Sequence, residues 1–189
     1  MKEGKAIIFS APSGAGKSTL INYLMQEVPS FQFSISATNR LPRGNEQNGV
    51  EYYFLSTKDF LQKIEDGEFI EYEEVYANKY YGTLKNEVEN KLALGTNLFF
   101  DVDVKGGLRL KEYFGERALS VFVKPPSIEE LKNRLIHRGT EPIEVIEERL
   151  KRSALELEFA PKFDIVVVND NIFETVPKVK GLIGDFLSK

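Results

Sequence analysis

The stretch "KAIIFSAPSGAGKSTLINYL", residues 5–24, sets a glycine-rich loop between a short apolar run and a segment with helical periodicity. The run "AIIFS" (6–10) is typical of a buried parallel strand, because such strands are covered on both faces. After the loop, Leu20, Ile21 and Leu24 recur at the spacing of one helix face. The stretch therefore predicts a strand–loop–helix unit, the building block of an α/β fold.

The loop itself, "APSGAGKST" (11–19), follows the phosphate-binding pattern G-x-x-x-x-G-K-[ST] except at its first position. Backbone N–H groups of such a loop and of the following helix converge on one anion, which the helix dipole also favours. Lys17 is then expected to reach the β- and γ-phosphates of a nucleotide, and the Ser18 hydroxyl to ligate Mg²⁺. A glycine-rich turn that merely joins strand and helix is the alternative.

The first position is Ala11 where the pattern has glycine. Alanine would cost about 1–2 kcal/mol only if this residue had to adopt a left-handed backbone conformation. Pro12 biases the preceding residue toward an extended conformation. We therefore predict an extended Ala11 and an intact phosphate cradle.

Composition narrows the function class. A chain of 189 residues with 42% apolar and 29% charged residues is long enough for one domain with a sizeable core. The absence of cysteine excludes disulfides, thiolate zinc sites and thiol catalysis, and a net charge of −4 argues against a general nucleic-acid binder. No apolar run is long enough to cross a bilayer, and residues 1–5 have no signal-peptide profile, so we expect a cytoplasmic protein without membrane contact.

Strand and helix periods alternate along the chain, which predicts an α/β fold with a parallel sheet. Strands are expected at 6–10, 31–38, 50–55, 68–76, 79–82, 97–104, 118–124 and 163–169. Helices are expected at 20–28, 56–67, 83–95, 127–139, 141–159 and 172–187. The closely spaced strands from about 36 to 82 break the alternation, so we interpret them as a subdomain inserted over the carboxyl edge of the sheet.

Several charged residues are candidates for the same nucleotide. Asp101 ends an apolar run, where a carboxylate can lie near Mg²⁺, although solvated acids are also common at strand ends. Arg40 and Arg43, on a turn-rich loop, can clamp one phosphate through forked N–H donors, or else be solvated.

A second group of arginines lies on two consecutive predicted helices. Arg134 and Arg138 share one helix face, Arg149 follows on the next helix, and a helical hairpin with three guanidiniums could close over a triphosphate. From spacing alone, pairing of Arg134 with Glu130 is the favoured alternative. The lone His137 is interpreted as a surface residue.

In order and spacing, the motifs resemble those of guanylate kinases over essentially the whole chain. The motifs that carry this resemblance are "APSGAGKST", "SATNRLPRGNEQNGVEYYF", "GEFIEY", "YYGT", "FDVDVKG", "LKNRLIHRGTE…ERL" and "VVVND". The resemblance implies transfer of the γ-phosphoryl group of ATP to GMP with Mg²⁺, and by analogy to dGMP. It also implies a P-loop kinase fold, in which a parallel sheet flanked by helices carries a small mixed β/α GMP-binding insertion and a helical lid. The expected single domain, 1–189, divides into a core (1–35, 84–126 and 160–189), a GMP-binding subdomain (36–83) and a lid (127–159).

The same resemblance assigns residues to each substrate. Those implied for GMP are Ser36, Arg40, Arg43, Tyr52, Glu71, Tyr81, Thr83 and Asp103. Those implied for ATP are Ala11, Pro12, Ser13, Gly14, Ala15, Gly16, Lys17, Ser18, Thr19, Asn169 and Asp170. Those implied for catalysis are Lys17, Arg134, Arg138 and Arg149, with Ser18 and Asp101 at the metal. "YEEVYANKYYG" carries one extra residue relative to the family pattern, so either Tyr80 or Tyr81 can be the phosphate contact.

The chemistry of the substrates is consistent with this assignment. Guanine offers two adjacent donors that one carboxylate can accept, whereas adenine turns a lone pair toward it, so Glu71 would lose charge-assisted bonds worth about 1.5–3 kcal/mol each. The accepting phosphate is already largely ionised at neutral pH, so no general base is needed.

Three competing functions differ in what they require. An inactive protein-interaction scaffold has no need of Lys17, Ser18 and Asp101 together. A P-loop kinase acting on a ribosyl phosphate needs no carboxylate aimed at a base. A GTPase switch needs an N-K-x-D element, and "VVVND" supplies no such lysine. The oligomeric state does not follow from the sequence.

Overall fold

The computed structural model describes residues 3–139 and 142–189, without the side chains of Tyr76 and Arg138. The strands are β1 (Ala6–Ser10), β2 (Phe31–Phe33), β3 (Ala37–Thr38), β4 (Tyr53–Phe54), β5 (Phe69–Tyr76), β6 (Lys79–Leu84), β7 (Asn97–Asp101), β8 (Ala118–Lys124) and β9 (Ile165–Val168). The helices are α1 (Lys17–Glu27), α2 (Thr57–Glu65), α3 (Lys85–Ala93), α4 (Val104–Phe114), α5 (Ile128–Arg138), α6 (Ile143–Leu157) and α7 (Ile172–Leu187). Within these ranges no helix combines the length and apolar character needed to span a lipid bilayer.

A five-stranded parallel sheet forms the centre of the molecule, in the order β2-β7-β1-β8-β9. Side chains alternate between its faces, as the strand period requires. Ile7 and Phe9 pack with α1 and α7 on one face, whereas Ala6 and Ile8 pack with α3 and α4 on the other. Because both faces are covered, β1 is buried along its whole length. The predicted α/β class with a helix-flanked parallel sheet is confirmed.

A second sheet is mixed and has the order β4-β3-β6-β5. Strands β5 and β6 form an antiparallel hairpin, and β3 is antiparallel to β6 but parallel to β4. Its own small core joins Ala37, Phe60 and Phe69. Helix α2 covers this core and is capped by Ser56, whose hydroxyl accepts from the backbone N–H of Asp59 at 3.0 Å.

The single strand predicted over 31–38 is wrong, because the segment divides between the two sheets. Strand β2 pairs with β7, and the backbone N–H of Ser34 makes the last bond to that strand. The chain then crosses to β3, where Ala37 contributes to the core of the mixed sheet. The alternation of apolar residues continues across the crossing, so periodicity alone could not reveal it.

The strand predicted over 97–104 is also too long, and helix α4 was not predicted. Strand β7 ends at Asp101, and Asp103 caps α4 by accepting from the backbone N–H of Gly106 at 2.7 Å. Gly106 and Gly107 lower helix propensity in the first turn, which hides the helix in the sequence. Their tertiary position explains them, since a Cβ on Gly107 would lie 2.3 Å from Ser10 Oγ.

Candidate active site

The phosphate-binding loop joins β1 to α1 without strain at its unusual first residue. In the described part of the chain, the only non-glycine residue with positive φ is Asn78, so Ala11 is not left-handed. The Ala11 side chain is buried in the cluster that contains Phe9. Gly14 and Gly16 take the left-handed positions, with φ of 90° and 89°. Ala11 therefore lacks the left-handed strain considered from the sequence, and an intact phosphate cradle stays a prediction.

Lys17 and Ser18 of the loop contact Asp101 at the end of β7. Lys17 Nζ lies 2.5 Å from Asp101 Oδ1 and donates to the Val102 carbonyl at 2.6 Å. The Ser18 hydroxyl donates to Asp101 Oδ2 at 3.1 Å. Among residues 3–139 and 142–189, apart from the two side chains left out, no group of three or more His, Cys, Asp or Glu could hold a metal by itself. One hydroxyl beside one carboxylate is nevertheless a donor set that suits Mg²⁺, which takes few protein ligands and completes its shell with water and phosphate oxygens.

A cleft of about 890 Å³ opens above this loop. One wall is the loop with residues 101–103, and the other is formed by α5 and α6. Arg149, on α6, donates from Nη1 to the Ser13 hydroxyl at 3.0 Å, so the two walls touch across the cleft. The cleft therefore collects the phosphate-binding loop, Asp101 and guanidinium groups around one space.

Arg134 makes the ion pair predicted from its spacing and also bonds to the segment that follows β9. Its Nε donates to Glu130 at 2.9 Å, which is the predicted i,i+4 pair. Its Nη1 and Nη2 donate to the carbonyls of Asn169 and Asp170 at 3.0 and 3.2 Å. The side chain of Arg138 lies outside the described residues. His137 is exposed, as predicted, although it also borders the cleft.

Asn169 holds the phosphate-binding loop from behind. Its Nδ2 donates to the Ala15 carbonyl at 2.9 Å, while its buried Oδ1 has no hydrogen-bond partner. A Cβ on Gly16 would lie 2.4 Å from that Nδ2, so only glycine allows this approach. Asn169 thus connects the end of β9 to the loop, whereas the neighbouring Asp170 is exposed.

Glu71, on β5, is a buried carboxyl at the junction of the two sheets. Burial raises its pKa from 4.5 to about 7, an effect that the hydrogen bond from Thr83 opposes. The Thr83 hydroxyl donates to Glu71 Oε1 at 2.6 Å. A Cβ on Gly106 would lie 3.0 Å from Glu71 Oε2 and 3.2 Å from Asp103 Oδ1, so glycine lets the two carboxyl groups share this corner.

A cationic site forms around Arg40, two residues after the end of β3. The Arg40 guanidinium is buried and lies 4.8 Å from the centre of the Tyr52 ring. The hydrogen bond that Arg40 donates to Glu46 is the largest cause that raises the pKa of Arg40, a hydrogen bond with Tyr81 raises it further, and burial opposes both. Arg43 follows on the same loop with an exposed side chain.

Of the two consecutive tyrosines on β6, Tyr81 lies in the cationic site and Tyr80 packs in the small core. The rings of Tyr81 and Tyr52 lie 5.9 Å apart, which puts Tyr81 beside Arg40. Tyr80 stacks on Phe60 at 5.6 Å, inside the small core. Of the two tyrosines left open by the sequence, Tyr81 is the one next to the guanidinium. Ser36 is partly buried, and its carbonyl accepts from the Tyr53 backbone.

Sequence reasoning missed Glu46, which makes the strongest contacts of Arg40. The carboxylate accepts from Nη1 at 2.6 Å and from Nη2 at 2.7 Å. An acid three residues after Arg43, inside a loop that already holds two arginines, was the available signal. Alone it is a weak signal, because acids in polar loops are usually solvated.

Comparison with known proteins gives a consistent result. The sequence profile of the guanylate kinase family matches residues 3–185. The chain is 57% identical to a guanylate kinase of Bacteroides fragilis over 98% of its own length and 91% of that relative. It is 52% identical to a guanylate kinase of Porphyromonas gingivalis, over 98% and 99% of the two chains. The crystal structure of guanylate kinase from Anaplasma phagocytophilum is similar with a TM-score of 0.76 and 29% identity, over 98% of this chain and 87% of that one.

Proposed function

The chain belongs to the guanylate kinase family and is an ATP:GMP phosphotransferase, and we propose from this premise which residues hold each substrate. The reaction moves the γ-phosphoryl group of ATP to the phosphate of GMP, giving ADP and GDP. Such a transfer requires positioning and charge neutralisation more than covalent chemistry. The roles below are assigned on that basis.

The corner formed by Glu71, Thr83 and Asp103 is proposed to bind guanine, with Ser36 nearby on the crossing segment. The ionised Glu71 carboxylate accepts from N1–H and from the amino group of guanine. Those two donors stabilise the charged form, so they offset the burial that raises the pKa of Glu71 to about 7 in the free protein. Adenine presents a lone pair where guanine presents N1–H, and the buried carboxylate rejects it.

The cationic site is proposed to hold the phosphate of GMP. Arg40 and Arg43 supply guanidinium donors, and Tyr52 and Tyr81 supply hydroxyl donors from the side. Arginine suits this task because its fork matches two phosphate oxygens at once.

The loop of residues 11–19 is proposed to hold the phosphates of ATP through its backbone N–H groups, together with Lys17. Asn169 supports the loop through the Ala15 carbonyl. Its unpartnered buried Oδ1 and the exposed Asp170 lie at the end where the adenine base is expected.

Ser18 and Asp101 are the residues that would hold Mg²⁺, because their oxygens are adjacent and of the kind that Mg²⁺ prefers. When bound, the ion would neutralise charge on the transferring phosphoryl group. Lys17 exchanges its bonds to Asp101 and the Val102 carbonyl for phosphate oxygens. Arg134, Arg138 and Arg149 are proposed to contribute further positive charge from α5 and α6.

The segments divide as core (1–35, 84–126 and 160–189), GMP-binding subdomain (36–83) and lid (127–159). We also propose that the enzyme acts in the cytoplasm, and that dGMP is accepted, since none of the assigned side chains is required to read the 2′-hydroxyl.

One observation carries this assignment: a buried carboxyl suited to guanine shares a corner with Asp103, two residues beyond the carboxylate that meets the phosphate-binding loop. Both substrates then converge on the same short segment after β7. The proposed base site of GMP and the proposed phosphate site of ATP therefore adjoin each other at residues 101–103.

The test compares ADP release from ATP and Mg²⁺ with GMP, AMP, CMP, UMP and ribose 1,5-bisphosphate as acceptors. We expect turnover with GMP alone. In parallel, Glu71→Ala should reduce GMP turnover far more than it weakens ATP binding, because its carboxylate contacts only the acceptor base. Equal loss of both, or turnover of the ribosyl phosphate, would contradict the guanine-binding role.

A further inference from the structure

Glu46 lies in the loop between β3 and β4 and has no role in the assignment above. Its carboxylate accepts from Arg40 Nη1 and Nη2 at 2.6 and 2.7 Å, and from the backbone N–H of Arg43 at 2.8 Å. The hydrogen bond from Arg40 is the main cause that lowers the pKa of Glu46 from 4.5 to about 2. The carboxylate is therefore charged at any pH at which the enzyme works, and it contacts both arginines of the cationic site.

The hydrogen bonds of the Arg40 guanidinium show which of its edges Glu46 occupies. A guanidinium has five N–H donors in a fixed plane. Nη1 uses its two hydrogens on Glu46 and on the Leu41 carbonyl, the latter at 3.0 Å, and Nη2 uses one on Glu46. These bonds leave Nε–H and the second Nη2 hydrogen, which form the side edge of the fork.

The side edge is the one that Glu46 and Leu41 do not occupy. Tyr52 covers the guanidinium face at 4.8 Å, and the Tyr81 hydroxyl interacts with the same group. Because Glu46 occupies the end of the guanidinium, we place the interaction with the Tyr81 hydroxyl at its side edge. Two parallel N–H donors on that edge match two oxygens of a phosphate.

We propose that Glu46 is a positioning residue of the GMP phosphate site: it fixes the Arg40 guanidinium so that its side edge faces the phosphate, and through the Arg43 amide it sets the spacing of the two arginines. This inference rests on the proposed function. Held in this way, Arg40 needs no further ordering when GMP binds, and an arginine that is ordered beforehand binds with a smaller entropic cost.

The opposite role is also chemically defined, and it makes the opposite prediction. If the Glu46 carboxylate occupied the place of the phosphate, GMP would have to displace it, and removing it would tighten GMP binding. The end-on contact favours positioning, because the Glu46 carboxylate does not occupy the side edge of Arg40.

The experiment measures binding of GMP and of guanosine, which lacks the phosphate, by titration calorimetry with the full chain. Glu46→Gln keeps the size of the side chain and removes its charge. We expect its Kd for GMP to rise by at least about tenfold, the factor that corresponds to about 1.4 kcal/mol. The Kd for guanosine and the KM for ATP should stay at the wild-type values, as should kcat at saturating GMP.

Glu51→Gln is the matched control. It makes the same change in the same loop, where Glu51 accepts from the backbone N–H of Gln47 at 2.7 Å rather than from a guanidinium. Its Kd for GMP should be that of the wild type. A similar rise in both variants would assign the effect to general loop order and would overturn the proposal.

A double-mutant cycle with Arg40→Lys tests whether Glu46 acts through Arg40. Lysine has no fork to orient, so adding Glu46→Gln to Arg40→Lys should change the Kd for GMP by less than about twofold. An equal rise in both backgrounds, no rise in Glu46→Gln, or tighter binding of GMP by Glu46→Gln would each overturn the proposal. Any of these results with an active wild type would leave the proposed function standing, whereas a wild type that does not phosphorylate GMP would contradict the function itself.

Discussion

Replacing Glu71 by glutamine should stabilise the folded protein above neutral pH while it removes guanine recognition. Burial raises the pKa of this carboxyl from 4.5 to about 7 in the free enzyme. The difference corresponds to about 3 kcal/mol, because one pKa unit is worth about 1.4 kcal/mol. That free energy is the cost of keeping the buried carboxylate charged when no guanine is bound.

The sign follows from proton binding. Between pH 4.5 and about 7 the folded protein binds more protons at Glu71 than the unfolded chain does, so the free energy of unfolding falls as the pH rises through this window. Glutamine is neutral at every pH and retains an oxygen for the Thr83 hydroxyl, which now donates at 2.6 Å. The variant should therefore match the wild type at pH 4.5 and exceed it by up to about 3 kcal/mol at pH 8.

The assay is thermal and urea unfolding of both proteins at pH 4.5, 6, 7 and 8, without ligands. For a chain of this length, about 3 kcal/mol corresponds to an increase in Tm of roughly 6–12 °C at pH 8. Glu65→Gln, an exposed change on α2, should alter the free energy of unfolding by less than about 0.5 kcal/mol at every pH. A Glu71→Gln effect that is constant across the pH range, or a loss of stability at pH 8, would refute the reasoning.

Three further changes test other contacts. Gly107→Ala should lower the free energy of unfolding by roughly 1–3 kcal/mol in urea titrations, because its Cβ would lie 2.3 Å from Ser10 Oγ, whereas Gly181→Ala, with open space around it, should not destabilise. Asp101→Asn should raise the Mg²⁺ concentration for half-maximal ADP release by about tenfold or more, and an unchanged Mg²⁺ dependence would remove it from the metal site. Asn169→Ala should raise the KM for ATP but not for GMP, since its amide holds the phosphate-binding loop, and equal effects on both would contradict that role.

The local elements near the phosphate-binding loop were predictable because their signals are local. Strand β1 lies at 6–10 as expected, and α7 spans the predicted 172–187. A run of apolar residues and a loop motif determine backbone conformation over a few neighbouring residues, so no distant contact is needed to read them. The effect of Ala11 also followed from local reasoning, since the conformation of one residue and its proline neighbour decided it.

The secondary-structure predictions were wrong where contacts with residues remote in sequence determine the conformation of a segment. The alternation over 31–38 fits a single strand, but its two halves pair with β7 and with β6. Helix α4 carries glycines that argue against a helix locally, and their reason is the approach of Ser10 and Glu71, which are remote in sequence. In both cases tertiary contacts outweigh the local secondary-structure propensity.

The sequence by itself determined the α/β class, the phosphate-binding loop and, through its motifs, the family and its reaction. Only the tertiary structure showed the electrostatics of the site: the raised pKa of Glu71, the carboxylate of Glu46 on Arg40, and the position of Tyr81, rather than Tyr80, beside Arg40. The physical reason is the separation along the chain of the residues that interact. Backbone conformation responds to neighbouring residues, whereas burial and ion pairing depend on groups that only folding brings together.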